Sequence, residues 1–446
     1  MDSVRWCCAV AKQICVISPQ CSTRCSNQLP VAGHFRSTCP GNSRVSRLSI
    51  RSLAVSILWL LVATFGHTMA VAEGPLVTTV APADANFDEA KLAKIDELVA
   101  AALKNKQLPG CVVVIGRAGK VVLKKAYGNK RLQPTLEPMT TDTVFDLASL
   151  TKPIATATSA MILLDQKKIA LDDPIAKYLP ELAAKDDAPT IEHLLMHTAG
   201  YIADNNISDY QNGREVAIEK LIGQKLRTKP GMHFVYSDVC FMLLGLVVEK
   251  ASGEPLDQFA KKNIFETLGM QETGYLPSDE LKLRAAPTTM RDGAWIQGEV
   301  HDPRAHLLGG VAGHAGLFST ADDLAIYASA MLKHGTLGAA SLMSDATWKE
   351  MLTPREVFSS SRGSERRAQT RCLGWDHASG FSSNAPSGRS GLAIGHGGFT
   401  GTAMWIDPEL DLFVMFLSNR VHPDGSGSVN RLAGEIGTVA VEAMRK

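Results

Sequence analysis

Ser149 and Lys152 stand three residues apart in the run Phe145-Asp146-Leu147-Ala148-Ser149-Leu150-Thr151-Lys152-Pro153. A hydroxyl becomes a nucleophile when a neighbouring base takes its proton, and an amine can be that base if burial lowers its pKa. Pro153 is tolerated only in the first turn of a helix, where its missing N–H costs nothing. Residues 154–164, rich in Ala, Thr, Ile and Leu, read as the buried helix that follows. The spacing therefore predicts Ser149 at or next to a helix N-terminus, with Lys152 on the same face. Orphan N–H groups at that terminus can face a developing oxyanion. The tetrapeptide alone is not specific, because a serine cap followed by a solvated lysine has the same pattern.

Three other stretches carry residues that can do chemistry. Tyr236-Ser237-Asp238 follows the turn expected at Pro230-Gly231 and precedes an apolar helix. A tyrosine near a cationic lysine can shuttle a proton; a core tyrosine with its hydroxyl at the surface fits the same pattern. Gly395-His396-Gly397-Gly398-Phe399-Thr400-Gly401 opens a hairpin. Its small residues leave a strand edge bare for a substrate backbone, with His396 as a donor beside it; a flexible loop with a solvated histidine is the plainer alternative. His301-Asp302 and His314 bracket a glycine-rich run at 308–313. They lack helical metal-ligand spacing, so a loop pinned by hydrogen-bonding histidines is expected and no metal. His197 is expected to cap and turn a helix end.

The elements that must hold these residues are legible as periodicity. Residues 111–115 and 121–126 flank a Gly-bearing turn and predict one β-hairpin, and 401–406 with 412–417 predict another. Helices are expected over 87–103, 154–164, 191–196, 214–222, 240–251, 321–332 and 429–444. Residues 359–371 and 378–391, rich in Ser, Arg and Gly, read as mobile loops. Strands and helices at both ends with helices between them predict an α/β fold of α+β type. It is an antiparallel sheet built from both termini, at about 84–150 and 390–446, with a mainly helical insertion over about 151–389.

The 446 residues carry a net charge of +1 and are 45% hydrophobic. That is ample for a large core and gives no electrostatic case for nucleic acid. The apolar run 52–65 follows Arg44, Arg47 and Arg51 and precedes Ala70-Val71-Ala72. This is the pattern of a signal peptide cleaved after Ala72, and it predicts an exported, periplasmic or extracellular protein. Only an uncleaved signal segment would tie it to a membrane, and the run is short of the roughly 20 residues a span needs. Six of the nine cysteines (Cys7, Cys8, Cys15, Cys21, Cys25 and Cys39) precede that segment. A signal peptide needs no such prefix, so residues 1–72 are read as a doubtful leader plus a signal peptide, with the true start downstream of Met1. Cys111, Cys240 and Cys372 form no disulfide framework and are expected to be core hydrophobes.

Taken together, Phe145 to Lys152, Tyr236-Ser237-Asp238 and His396-Gly397-Gly398 resemble, in order and separation, the serine β-lactamase and penicillin-binding protein superfamily in its class C-like branch. Residues 171–180, 191–200 and 309–319 look like the same family, so the likeness spans essentially 73–446. The resemblance implies an active site in a cleft between the sheet and the helical part. It implies Ser149 as acylated nucleophile, Lys152 as its activator and Tyr236 as proton shuttle, with the backbone N–H groups of Ser149 and Phe399 as oxyanion hole. Asp238, His396, Gly397, Gly398, His301, Asp302 and His314 would contact the substrate. No cofactor is implied.

Two departures bear on the substrate. Asp238 stands where the family often has Asn, and an ionised carboxylate would hold Lys152 protonated more firmly. His396 replaces a lysine, which makes efficient β-lactam hydrolysis doubtful. The His-x-Gly form and the flanks 298–305 and 309–319 look most like the esterase, D-amino-peptidase and peptidoglycan-fragment amidase members. The expectation is an exported serine hydrolase cleaving an amide or ester in peptidoglycan-derived material. A broad-specificity carboxylesterase comes next, then a β-lactamase, and a non-catalytic scaffold is the reading from another class.

Overall fold

The apolar runs at 111–115 and 412–417 become the two central strands of one sheet, in a computed structural model that describes residues 77–182, 188–360 and 366–445. The expected leader, signal segment and cleavage point lie outside the described residues. The sheet contains β1 (Thr78–Thr79), β2 (Gly110–Arg117), β3 (Lys120–Arg131), β4 (Glu137–Pro138), β5 (Arg355–Ser360), β6 (Arg366–Cys372), β7 (Trp375–Ala378), β8 (Ile394–Gly397), β9 (Ala403–Asp407) and β10 (Leu412–Ser418). Its order is β1-β3-β2-β10-β9-β8-β7-β6-β5, with β4 on β3. Every pair is antiparallel except β1 with β3.

The central strands read as unbroken apolar runs because both faces of the sheet are covered. Cys111, Val113 and Ile115 of β2, with Leu412, Val414 and Phe416 of β10, face one core. There they meet α1 (Lys94–Lys104) through Ile95, Val99 and Ala102, and a C-terminal helix through Leu432, Ile436 and Ala440. Val112, Val114, Phe413, Met415 and Leu417 face the other, larger core. That core is filled from α2 (Thr158–Asp165), α3 (Asp238–Ser252) and α4 (Ala321–Leu332); the C-terminal helix, Asn430–Ala443, is α5. A one-residue slip of either strand would exchange the two sets. Cys111, Cys240 and Cys372 are free and buried.

This is the expected architecture, with one difference. The stretch 359–371, read as a mobile loop, contributes to the strand pair β5–β6, which forms the far edge of the sheet with β7. The sheet thus draws three strands from the middle of the chain. An edge strand exposes much of its surface, so its Ser and Arg content carries no apolar alternation to betray it. The stretch 378–391 holds a short turn, Ser382–Asn384. The Ser379 and Ser382 hydroxyls donate to the Asp376 carboxylate (2.5 Å each), and Trp405 Nε1 donates to Asn384 Oδ1 (3.1 Å). Among the described residues, no helix is long and apolar enough to cross a membrane.

Candidate active site

Ser149 sits in a tight turn, Ala148–Leu150, between a short strand at Phe145–Asp146 and a helical turn of π type, Lys152–Ala157, that runs into α2. Ala148, just before the nucleophile position, has φ +45°. That left-handed conformation costs an L-residue roughly 1–2 kcal/mol, and the surroundings enforce it. The buried Asp146 carboxylate accepts the Ala148 N–H (2.8 Å) on one oxygen and the His301 N–H (2.6 Å) on the other. Burial pushes the Asp146 pKa up to about 6, against the pull of those two donors. The Phe145–Asp146 strand pairs with Leu317–Ser319, and Gly313 accepts from the Thr156 hydroxyl (2.6 Å). The glycine-rich 308–316 run is thereby laid along the helix that carries Lys152.

Lys152 is fully buried. Its ammonium donates to Ser149 Oγ (3.1 Å) and to the His314 carbonyl (3.1 Å), and forms an ion pair with Asp238 Oδ1 (2.7 Å). Burial disfavours the charge, but the Asp238 carboxylate, followed by the Tyr236 phenol, outweighs it and raises the Lys152 pKa well above the ordinary value. In turn, Lys152 and His314 hold the Asp238 carboxyl below its usual range, against burial. An ionised Asp238 at this distance favours the ammonium form of Lys152.

Tyr236 emerges immediately before Ser237, whose Oγ caps α3 by accepting the Cys240 N–H (3.2 Å). The tyrosine ring lies 5.0 Å from Lys152 Nζ. Its ring is packed against His197 (4.6 Å between centroids), Phe381 (4.7 Å) and His396 (5.9 Å). His197 does sit just past the helix Ile191–Leu195, with φ +56°. It also accepts the Ser237 N–H on Nδ1 (3.0 Å), so it fixes the tyrosine segment as well as turning the chain.

A cleft of about 350 Å³ opens over these groups. Ser149, Tyr236, His396, Gly397, Gly398 and Phe399 all line it. β7 meets β8 only through Asp376 opposite Gly395, so the edge beyond Gly395 is left unpaired on that side, as a bare edge requires. Gly398 serves a further purpose: a side chain there would collide with the Leu147 carbonyl and the Thr402 hydroxyl. Burial, then the charges of Arg371 and Lys152, push the His396 pKa down to about 3. Its Nδ1 donates to the Gly397 carbonyl (2.8 Å), so the ring is neutral at pH 7 and presents no fixed positive charge.

The remaining predicted contacts lie elsewhere. Asp302 caps a short helix by accepting the Ala305 N–H (2.8 Å) and pairs with His314 Nε2 (2.9 Å). His314 is buried behind Lys152, and His301 stacks on Phe399 (5.6 Å). None of the three is among the residues lining the cleft. Asp238, Asp302 and His314 bring ligand-type atoms within 4.8 Å of one another, and the Lys152 ammonium already supplies a cation to that cluster. Asp146, His197, Phe381, Arg371 and Arg420 were not singled out by sequence as site residues. Only Asp146 had a usable signal, through its place two residues before Ala148.

The family model of the β-lactamases matches residues 95–437. The chain is 31% identical over 405 residues (82% of this chain, 90% of the relative) to the N-acetylmuramyl-L-alanine amidase of Bacillus subtilis. It is 29% identical over 409 residues (82% and 91%) to an Escherichia coli protein named after D-alanyl-D-alanine carboxypeptidases. A solved class C β-lactamase shares the fold at a TM-score of 0.65 and 20% identity, over 81% of this chain and 99% of that one. The chain belongs to the β-lactamase family and is a serine hydrolase of the β-lactamase and penicillin-binding protein type.

Proposed function

We propose that this hydrolase is exported and cleaves an amide or ester in peptidoglycan-derived material through an acyl-enzyme on Ser149. The observation that carries the mechanism is the contact of Lys152 Nζ with Ser149 Oγ at 3.1 Å, on a buried amine. One proton must leave the Lys152–Tyr236 pair before Ser149 can lose its own. The Ser149 oxygen then attacks the carbonyl carbon and its proton passes to that pair. The N–H groups of Ser149 and Phe399 receive the oxyanion. Tyr236, at the cleft surface, returns the proton to the leaving amine or alcohol. Water cleaves the acyl-enzyme by the same route in reverse.

The substrate class rests on the names of the relatives and on the neutral His396. With His396 neutral, a β-lactam carboxylate finds no counter-charge at that residue, whereas a muropeptide amide or a neutral ester does not depend on one. Incubating the mature protein with muropeptides, a chromogenic cephalosporin and p-nitrophenyl esters tests this reading, alongside fluorophosphonate labelling read by mass spectrometry. The expected result is an adduct on Ser149 and turnover of muropeptides above cephalosporin. An unlabelled Ser149, or activity surviving in Ser149→Ala, overturns it.

A further inference from the structure

The turn that carries the Phe399 N–H is fixed at both of its peptide planes. The Gly398 carbonyl accepts the Gly401 N–H (3.0 Å), which sets the plane between residues 398 and 399 and so aims the Phe399 N–H the opposite way. The Thr400 and Thr402 hydroxyls tie the turn to the carbonyls of Asp146 (2.7 Å) and Leu147 (3.1 Å), just ahead of Ser149. The next plane, between residues 399 and 400, is held from the other side by Arg420. Its Nη2 donates to the Phe399 carbonyl at 2.6 Å, and its guanidinium carbon stands 4.6 Å over the Phe399 ring. Phe399 is 60% exposed, lines the cleft and has His301 stacked against its ring.

Arg420 reaches further. Its Nη1 donates to the carbonyls of Gly425 (3.2 Å) and Gly427 (3.0 Å). Gly427, Ser428, Val429 and Asn430 form another part of the cleft lining, at the start of α5. One planar fork therefore joins the turn at Phe399 to the loop that leads into α5. A lysine, with a single nitrogen on a flexible stem, cannot span these three carbonyls in one fixed geometry.

We propose that Arg420 is a positioning residue that sets the Phe399 N–H against the oxyanion by clamping the 398–401 turn to the 425–428 loop. The proposal rests on the reading of Ser149 as nucleophile and Phe399 as oxyanion donor. It predicts that loss of the fork lowers kcat and leaves KM nearly unchanged, because the N–H is needed more in the transition state than in the ground state.

The test uses a neutral p-nitrophenyl ester, so that substrate charge plays no part, on the full mature chain with Arg420→Ala and Arg420→Lys. Removing one oxyanion donor costs about 10²–10³ in kcat, and a misplaced donor should forfeit a good part of that. Both variants are expected to lose at least tenfold in kcat with KM changed less than threefold. Affinity for a boronic acid transition-state mimic should fall by a similar factor, and ethylguanidinium should partly restore Arg420→Ala. Arg420→Lys keeps the charge and most of the length, so it is the variant to read if Arg420→Ala does not fold. Wild-type kcat in either folded variant, or a loss confined to KM, overturns the proposal. Ser149→Ala separates the two levels. If it is inactive while Arg420→Lys is normal, only the positioning role fails; if it is active, the reading of the site itself fails.

Discussion

Lys152 Nζ and Asp238 Oδ1 lie 2.7 Å apart, one fully buried and the other at the side-chain cluster behind the cleft. A buried ammonium needs such a partner, and the partner makes the amine a poorer base. Replacing the carboxylate by an amide leaves burial as the main influence on Lys152, and burial acts to discharge it. In Asp238→Asn the rising limb of kcat/KM against pH should therefore move at least one unit toward acid. Ester hydrolysis followed from pH 6 to 10 checks this. An unmoved limb would mean that another group governs the loss of the Ser149 proton.

Ala148, buried and held at φ +45° by Asp146, is where strain is stored beside the nucleophile. Glycine adopts that conformation without a Cβ penalty, so Ala148→Gly should stabilise the fold by about 1 kcal/mol. A β-branched residue there should destabilise it by more. Urea midpoints of Ala148→Gly and Ala148→Val provide the comparison, and a lower midpoint for the glycine variant would show that the turn is not strained.

Gly398 has no room for a methyl group between Leu147 and Thr402. Gly398→Ala should push the 398–401 turn away from the Ser149 segment and cost about 10²-fold in kcat/KM, the scale of a lost oxyanion donor. Circular dichroism should change little, since the turn lies outside the central strands. Activity within threefold of wild type would place the oxyanion donors elsewhere.

The sequence made Ser149, Lys152 and Tyr236 visible because each sits at a junction with its own local signal: a proline after Lys152, a turn at Pro230-Gly231, an apolar helix after Tyr236. The two hairpins and the helices α3 and α4 were visible for a similar reason, since periodicity is a local property. What brings Arg371, Arg420 and His197 to the site is pairing between distant segments. Arg371 faces Asp376 across β6 and β7, and Asp376 faces Gly395 across β7 and β8. Polar edge strands have no apolar alternation to announce that register. Likewise, nothing local tells that His314 offers its backbone carbonyl to Lys152 while its ring pairs with Asp302. The family resemblance suggested a substrate contact, whereas the residues themselves suggested a loop pinned by hydrogen-bonding histidines, and that is the place packing gives the side chain.

His396 carries a pH dependence whose sign is opposite to that of two buried carboxyls. Its folded pKa is depressed to about 3, chiefly by burial, while an unfolded histidine titrates near 6.5. Stability from the neutral ring is thus fully present above pH 6.5 and is lost as pH falls toward 3. Between pH 7.5 and pH 5 the loss amounts to about 2 kcal/mol, since only the unfolded chain takes up the proton. Asp146 and Asp323, both raised to about 6 by burial, act the other way, because their folded forms bind protons more tightly across pH 4 to 6. The wild-type curve mixes these contributions, so the useful quantity is a difference. In His396→Asn, a neutral amide that can keep the donation to Gly397, the stability gap from wild type should shrink or reverse as pH falls from 7.5 to 5. Urea unfolding at those two pH values measures it, and a gap that stays constant would mean that His396 titrates alike in the folded and the unfolded chain.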